Sequence, residues 1–246
     1  MSVQAPNGSV SLGKRLAGEF IVIVLGVLVA LSVDAGLDVR AEGRREQAYY
    51  QSLARDVVDD TAEYATAIRM TARSIEAGRH VMAAISGDPY PAKRPLSQSV
   101  SYASWVNYPD WSSGTLDELF SVGAIRLIRN QEIKDAIHDY RSDVNEWRPR
   151  MQGPEYGAFL DYRRVIAGLI PLEAQTAYVR TSLADERVVG VEVDEALLAE
   201  RLRGNQPLLR ELEIMMVQWA DLTVLYEQQR QFALRLLNLL QVNDNR

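Results

Sequence analysis

The chain has 246 residues, a formal net charge of −6 and no cysteine. An acidic chain lacks the basic footprint of nucleic-acid-binding proteins, and the absence of cysteine excludes disulfides and thiol chemistry. Because the sequence contains only two histidines, few side chains are available as a general base or a zinc ligand.

The first predicted element is an apolar segment near the amino terminus. Residues 20–33, FIVIVLGVLVALSV, contain no charge and lie between Glu19 and Asp34. These fourteen residues would rise about 21 Å as a helix, which is short of a hydrocarbon core of about 30 Å, whereas residues 16–37 are long enough. The apolar side chains favour insertion by about 3 to 7 kcal/mol, more than acids near the interfaces oppose it. The sequence therefore predicts a transmembrane anchor in membrane lipid at residues 16–37, after a short tail at residues 1–15.

Three other interpretations of the apolar segment stay open. A buried core helix of a soluble protein has a similar length and composition. A cleaved signal peptide is the second, since Val33 and Ala35 fit a small-residue cleavage site after a basic start. The third is an interfacial helix, which the segment disfavours because it has no polar face.

Basic residues on the two flanks predict the orientation of the anchor. Lys14 and Arg15 favour a cytoplasmic amino terminus, although Arg40, Arg44 and Arg45 lie within counting range on the other flank. We expect the amino terminus inside and the C-terminal domain outside the cytoplasm. The lack of cysteine suits that compartment.

Residues 40–246 are predicted to form one helical domain, a size that buries a core without disulfides. From residue 44 to residue 86, apolar residues recur at steps of three and four, as on a helix. They are Leu53, Val57, Tyr64, Ile68, Ile75, Met82 and Ile85. Gly87 and Pro89 are predicted to end this helix, and residues 87–114 to form a long connection.

Shorter helices are predicted in the middle of the chain. Thr115 and Glu118 form a capping box before an apolar run, which is typical of a helix start. A second helix is predicted at residues 130–147, ended by Pro149, and a third at residues 154–180, strained by an internal proline.

The last helix has the clearest pattern. Gly204, Asn205 and Pro207 mark its start, after a run at residues 188–193 that we interpret as a connection. Its predicted seam alternates steps of four and three, with Gln229 as a polar break. The seam consists of Leu208, Leu212, Met215, Trp219, Leu222, Tyr226, Gln229, Ala233, Leu236 and Leu240. An internal partner is favoured over dimerisation, so the predicted fold is all-α, with an N-terminal transmembrane helix followed by an antiparallel helical bundle.

The sequence contains no recognisable catalytic constellation. Two acid–histidine pairs occur at helical spacing, Glu76 with His80 and Asp135 with His138, but neither fits the Glu-x-x-His motif of di-iron bundles. No Gly-x-Ser-x-Gly elbow or phosphate loop occurs. A cluster of acids is interpreted as a solvated helix face rather than as paired catalytic carboxylates. It comprises Asp56, Asp59, Asp60 and Glu63. We therefore predict no enzymatic activity, no metal and no cofactor.

Aromatic residues are concentrated in the predicted connection. Five of them within 22 residues form a candidate interaction surface, namely Tyr90, Tyr102, Trp105, Tyr108 and Trp111. Indole and phenol groups are common in binding hot spots. Two alternatives stay open: the rings fold back over the end of the bundle, or they lie at the membrane interface.

Several segments in the first part of the chain carry a family resemblance. They are Gly18-Glu19, the aliphatic run with Gly26 and Ala30-Leu31, and the stretches 50–56, 116–119, 121–130 and 137–140. In order and spacing these segments resemble an uncharacterised family, a domain of unknown function, of small bacterial single-pass membrane proteins. Residues 34–36 depart from that pattern, in which Asn and Trp are expected. The resemblance implies a bacterial inner-membrane location and a helical fold, and it implies no activity.

These features predict a membrane-anchored extracytoplasmic protein of the cell envelope that acts as a structural or protein-interaction module, with a protein partner or a second copy. The alternative is a sensory ligand-binding bundle that signals through a separate partner. An envelope hydrolase that uses clustered acids is a distant third hypothesis. A closed core with packed aromatics would favour the first hypothesis, and an enclosed cavity lined by Arg and Tyr would favour the second.

Overall fold

A computed structural model describes residues 10–112, 114–151, 156–184 and 192–244. In chain order the described helices are α1 (Val10–Ser86), α2 (Leu96–Tyr102), α3 (Gly114–Ser121), α4 (Gln131–Met151), α5 (Tyr156–Ile166), α6 (Leu172–Ala184), α7 (Glu195–Leu202) and α8 (Gln206–Asp244). A 3-10 turn at Ala124–Leu127 follows α3. Over the described residues no β-strand is present, so the predicted all-α fold class is confirmed.

Contacts within the chain define two compact units, Met1–Tyr50 and Gln51–Arg246. The boundaries predicted from the sequence, residues 16–37 for the anchor and residues 40–246 for the helical domain, stay predictions.

The first unit contains the apolar part of α1. Among the described helices, α1 is the one that is long and apolar enough to cross a membrane. None of the described residues buries its most apolar window, and Val22, Ile23 and Leu31 are each more than half exposed. A buried core helix is therefore the wrong interpretation of this segment. A membrane span and a signal sequence both fit it.

The second unit is organised around an antiparallel pair, the C-terminal part of α1 and α8. Three contacts fix the relative direction of these helices, joining Ile85 with Gly204, Gly78 with Met216, and Tyr64 with Gln229. Residue numbers fall along α1 as they rise along α8. The two helices therefore run in opposite directions, as predicted for the bundle.

The seam predicted on α8 lies in the core of this unit. All of its positions are buried except Leu222, which is partly buried. At the centre, Trp219 meets Phe159 of α5 edge to face, with ring centroids 4.8 Å apart. Helices α4 and α5 both pack on α8. The seam is therefore covered by helices of the same chain, as the internal alternative predicts.

The buried stripe on α1 differs from the predicted one. Ile68, Ile75 and Met82 are only partly buried. Small and polar residues occupy buried positions instead, namely Asp60, Ala67, Thr71, Ser74 and Gly78. The Thr71 hydroxyl donates to the Ala67 carbonyl at 2.9 Å and the Ser74 hydroxyl to the Trp105 carbonyl at 3.0 Å. These polar groups are tolerated in the core because each has a hydrogen-bond partner.

Several predicted helix boundaries are wrong. Helix α4 continues two residues past Pro149 and ends at Met151, so this proline lies in the last turn and does not end the helix before it. The helix predicted at residues 154–180 is two helices, α5 and α6, separated by a turn in which Gly168 has a φ of 85°. Helices α2 and α7 were not predicted. Most of the predicted connection at residues 188–193 lies outside the described residues.

Candidate functional site

The aromatic connection is an ordered segment that we call the strap, defined as residues 90–112. Its contacts with α1 join Ser99 to His80, Trp105 to Ser74, Trp111 to Tyr64, and Ser112 to Asp60. On α8, Trp219 and Tyr226 donate to strap carbonyls at Ala103 and Asn107. The strap therefore runs antiparallel to α1 and parallel to α8. These hydrogen bonds reach residues 60–80 of α1 and residues 219–226 of α8.

All five aromatic residues of the candidate interaction surface fold back onto the helices. Tyr102 is buried and the other four are partly buried. Tyr90 stacks on His80 with ring centroids 5.3 Å apart, and the Trp111 indole donates to the Tyr64 hydroxyl. The rings lie along the flank of the bundle rather than over its end. Their role as an interaction surface stays a prediction.

A buried carboxyl group lies where the strap ends. Asp60 is 1% exposed; its Oδ1 accepts from the Ser112 amide at 2.7 Å and its Oδ2 from the Tyr140 hydroxyl. Burial raises the pKa of the Asp60 carboxyl above its ordinary value, although both hydrogen bonds oppose the change. The interpretation of the acidic cluster as a solvated face is therefore wrong for Asp60, whereas Asp59 is exposed.

The Asp60 carboxyl joins α1, the strap and α4 in one polar network. Burial also raises the pKa of the Tyr140 hydroxyl, with the nearby Tyr64 and Asp60 adding to the effect. Tyr64 continues the network by donating to Gln229 on α8 at 3.3 Å. Paired buried networks rigidify a core. Because the carboxyl is enclosed and both oxygens are occupied, this arrangement is suited to holding elements together rather than to acid–base catalysis.

A second polar cluster lies at the other end of the strap. Glu195 of α7 accepts from both the amide and the hydroxyl of Ser97, and Ser97 Oγ is 2.7 Å from the Tyr178 hydroxyl. His80 Nδ1 is 2.9 Å from Ser99 Oγ. Burial lowers the pKa of His80, an effect that Glu195 opposes.

The pairing of His80 with Ser99 has the residue types of a nucleophile and its base. This pairing was not predicted, because the two residues lie on different elements. Ser99 has no solvent exposure, so no substrate reaches its hydroxyl. The hydrogen bond therefore docks α2 on α1.

An open cleft of about 420 Å³ lies between the strap and the helices α5 and α6. It is lined by Ser101, Ser104, Trp105, Val106, Arg163, Ile166 and Gln175. The Arg163 guanidinium is fixed by the strap, since its Nε donates to Ser104 Oγ at 3.2 Å and its Nη2 to the Ser104 carbonyl at 3.0 Å. Sequence reasoning missed Arg163, which is one of 27 basic residues and belongs to no motif.

Within the described residues, no group of three or more potential metal ligands comes together. Of the two predicted acid–histidine pairs, His80 contacts Ser99 and Tyr90, and the ring of His138 contacts Phe120 with centroids 5.1 Å apart.

Comparisons with known proteins identify no relative. No family model matches the chain, and neither a curated protein nor a solved structure shows significant similarity to it. The resemblance to a family of small bacterial single-pass membrane proteins therefore stays a prediction carried by the segments named above.

Proposed function

We propose that this chain is a single-pass protein of a bacterial inner membrane whose helical body lies outside the cytoplasm and acts as a structural or protein-interaction module. The observation that carries the proposal is the apolar window of α1, which no part of the described structure buries. A helix that is apolar on all sides is stable when protein or lipid surrounds it. Lipid is the partner that its length fits.

The packing of the second unit supports a binding or structural role over catalysis. The carboxyl of Asp60, whose pKa is raised, and the hydroxyl of Ser99, which contacts His80, are both enclosed. The strap aromatics pack onto α1 and α8, which is the closed arrangement expected of a scaffold. On one side of α8 the side chains of Ile214, Val217 and Val224 are exposed, with the exposed Asp221 between them. This mixed surface is the proposed region of contact with another protein.

Purification from native membranes in a mild detergent tests the interaction role. Light scattering would give the mass of the particle, and mass spectrometry would identify what co-elutes in stoichiometric amount. We expect a second copy or one partner protein that stays bound during washing with roughly 0.5 M salt, a concentration that screens surface charges beyond a few Å. A monomer without a stoichiometric partner would contradict the interaction module.

The sensory ligand-binding bundle is the second candidate function. The cleft beside Arg163 supports it, although this cleft is open and the expected cavity was enclosed. The cleft has a volume within the range of about 300 to 1,000 Å³ that small-molecule sites occupy. It contains a positioned arginine, as expected of a sensing bundle, and a tryptophan where a tyrosine was expected. Direct binding of a small molecule to the purified chain distinguishes this function from a purely structural role.

A further inference from the structure

We infer that the cleft beside Arg163 binds a small organic monocarboxylate, whose carboxylate pairs with Arg163 and whose apolar part lies against Trp105. This inference rests on the sensory alternative and gives it a ligand class. The three observations that carry it are the fixed geometry of the guanidinium, the absence of a carboxylate partner for Arg163 in the described part of the chain, and the arrangement of the tryptophan.

The guanidinium of Arg163 is held so that one edge remains available. A guanidinium has five N–H donors in a planar fork. Nε and Nη2 of Arg163 each donate one hydrogen bond to Ser104. The end-on edge, formed by Nη1 and the second N–H of Nη2, is left for two parallel hydrogen bonds to a carboxylate. Because Ser104 fixes the plane of the fork, little side-chain freedom is lost on binding.

The charge of Arg163 is not neutralised within the described residues. The neighbouring Asp161 is already paired with Arg164, at 2.7 Å. A single positive charge balances one carboxylate, whereas a phosphate dianion would keep an excess negative charge in a cleft whose other polar residues are serines and a glutamine. The electrostatics therefore favour a monocarboxylate over a phosphate.

Trp105 gives the cleft its apolar wall. The Trp105 backbone is fixed, since its amide donates to the Tyr102 carbonyl at 3.0 Å and its carbonyl accepts from Ser74, and its ring packs against the Tyr102 ring with centroids 5.5 Å apart. The Trp105 indole N–H makes no hydrogen bond to the described residues, unlike the indoles of Trp111 and Trp219. Ile166 and Val106 extend the wall. An aryl or branched aliphatic group fits such a surface.

Isothermal titration of the full chain in detergent tests the ligand class without any variant. The probes are phenylacetate, isovalerate, hexanoate and indole-3-acetate, each with its neutral amide, together with inorganic phosphate. We expect at least one carboxylate to bind with a one-to-one stoichiometry, and its amide and phosphate to bind at least about tenfold more weakly, the usual scale for a charge-assisted pair. Binding of no carboxylate at millimolar concentration, or equal binding of acid and amide, or tighter binding of phosphate, would overturn the inference.

Two adjacent arginines provide a matched pair of variants. Arg163→Gln should weaken carboxylate binding about tenfold or more, and Arg163→Lys should weaken it less because charge remains without the fork. Arg164→Gln, whose side chain is 77% exposed and paired with Asp161, should leave affinity within about twofold, as for surface changes. Circular dichroism confirms that each variant is folded. If Arg163→Gln binds like the wild type, or Arg164→Gln loses equal affinity, the site is elsewhere. If Arg163→Gln does not fold, the affinities of the wild-type chain for each acid and its amide test the inference instead.

Failure of these titrations is separable from failure of the membrane-anchor proposal. The cleft lies in the second unit, and its ligand does not depend on the apolar window of α1. If the chain stays in the membrane but binds no carboxylate, the membrane anchor is supported and the ligand inference is overturned.

Discussion

Two parts of the same helix reverse the usual relation between polarity and burial. In residues 22–39 of α1 the aliphatic side chains are exposed, and in residues 53–85 a carboxyl and two hydroxyl groups are buried, those of Asp60, Thr71 and Ser74. The difference lies in the available partners. The buried polar groups each have a hydrogen-bond acceptor or donor nearby, whereas the aliphatic groups are not buried by any of the described residues.

This contrast agrees with the proposed membrane anchor, in which the first part of α1 lies in lipid. Apolar surface is excluded from water by a free energy of about 25 cal/mol per Å², so the first part is matched to lipid. The second part is matched to protein, because polar groups in a core require specific partners. Matched substitutions in the two parts measure this difference.

The largest expected effect comes from a matched pair of leucines. Leu53 is 1% exposed and Leu28 is 53% exposed. Leu53→Ala should lower the free energy of unfolding of the helical body by about 2 to 5 kcal/mol, because it leaves a cavity. Leu28→Ala should leave that free energy unchanged. Urea titration of both variants in the same detergent, followed by tryptophan fluorescence, measures the values. Equal effects of the two substitutions on the free energy of unfolding would contradict the difference in packing between the two parts of α1.

A matched pair of aspartates on α1 tests the buried polar network. Asp60→Ala leaves the Tyr140 hydroxyl and the Ser112 amide without their acceptor, and should destabilise the body by about 1 to 3 kcal/mol. Asp59→Ala, one residue away and exposed, should change stability by less than about 0.5 kcal/mol. The same urea titration measures both variants. A neutral Asp60→Ala would show that the network does not hold the strap and α4.

Much of this arrangement was predictable from the sequence, but the polar centres were not. The α8 seam was visible because its apolar residues keep a strict period, and the single polar break, Gln229, is paired with Tyr64. The α1 stripe was misplaced because Asp60, Thr71 and Ser74 occupy buried positions, and polarity alone predicts exposure. The partners of Asp60 and Ser74 lie in the strap and α4, up to 80 residues away, beyond the range of any local pattern, whereas Thr71 pairs with Ala67 one helical turn away.

The same limit applies to the candidate sites. The aromatic residues of the strap stood out by composition, yet composition does not say whether a ring faces inward. Arg163 and Ser104 are 59 residues apart, so their contact depends on how α5 packs against the strap. The cleft is a product of tertiary structure and has no local signature.

The pH dependence of stability gives a smaller effect with a defined sign. The pKa of Asp60 is raised in the folded state from an ordinary value of 3.8, so the folded state binds the proton more tightly than the unfolded chain. The stabilisation is therefore complete below the ordinary value and is lost as the pH rises through the raised pKa. Asp60→Asn, which is always neutral, should abolish this loss. Unfolding free energies of both proteins between pH 3.5 and 8 measure the difference.

The titration of His80 changes folding stability with pH in the opposite direction to that of Asp60, so it needs a control. Because its pKa is lowered on folding, its contribution falls as the pH drops below the ordinary histidine value of about 6.5. The difference between wild type and Asp60→Asn cancels this contribution. A difference that does not change with pH would contradict the raised pKa of Asp60.

Two glycines of α1 give the smallest expected effect. A Cβ at Gly78 would lie 2.6 Å from Met216 Sδ, whereas a Cβ at Gly26 has no atom within 4 Å. Alanine favours helix over glycine by about 1 kcal/mol. At Gly78 this gain is offset because the Met216 side chain must move, so Gly78→Ala should change stability by less than about 1 kcal/mol. Gly26→Ala should not affect unfolding of the body. A large stabilisation by Gly78→Ala would show that α1 and α8 are not in close contact there.

The location of the apolar part of α1 can be measured directly by fractionating cells that express the chain with a tag at each end. If α1 spans a membrane, the full-length chain with both tags stays in the pellet after alkaline carbonate washing and is released by detergent. Recovery of the intact, doubly tagged chain in a detergent-free soluble fraction would contradict a membrane-spanning α1. A soluble product that has lost the amino-terminal tag would identify the segment as a cleaved signal peptide.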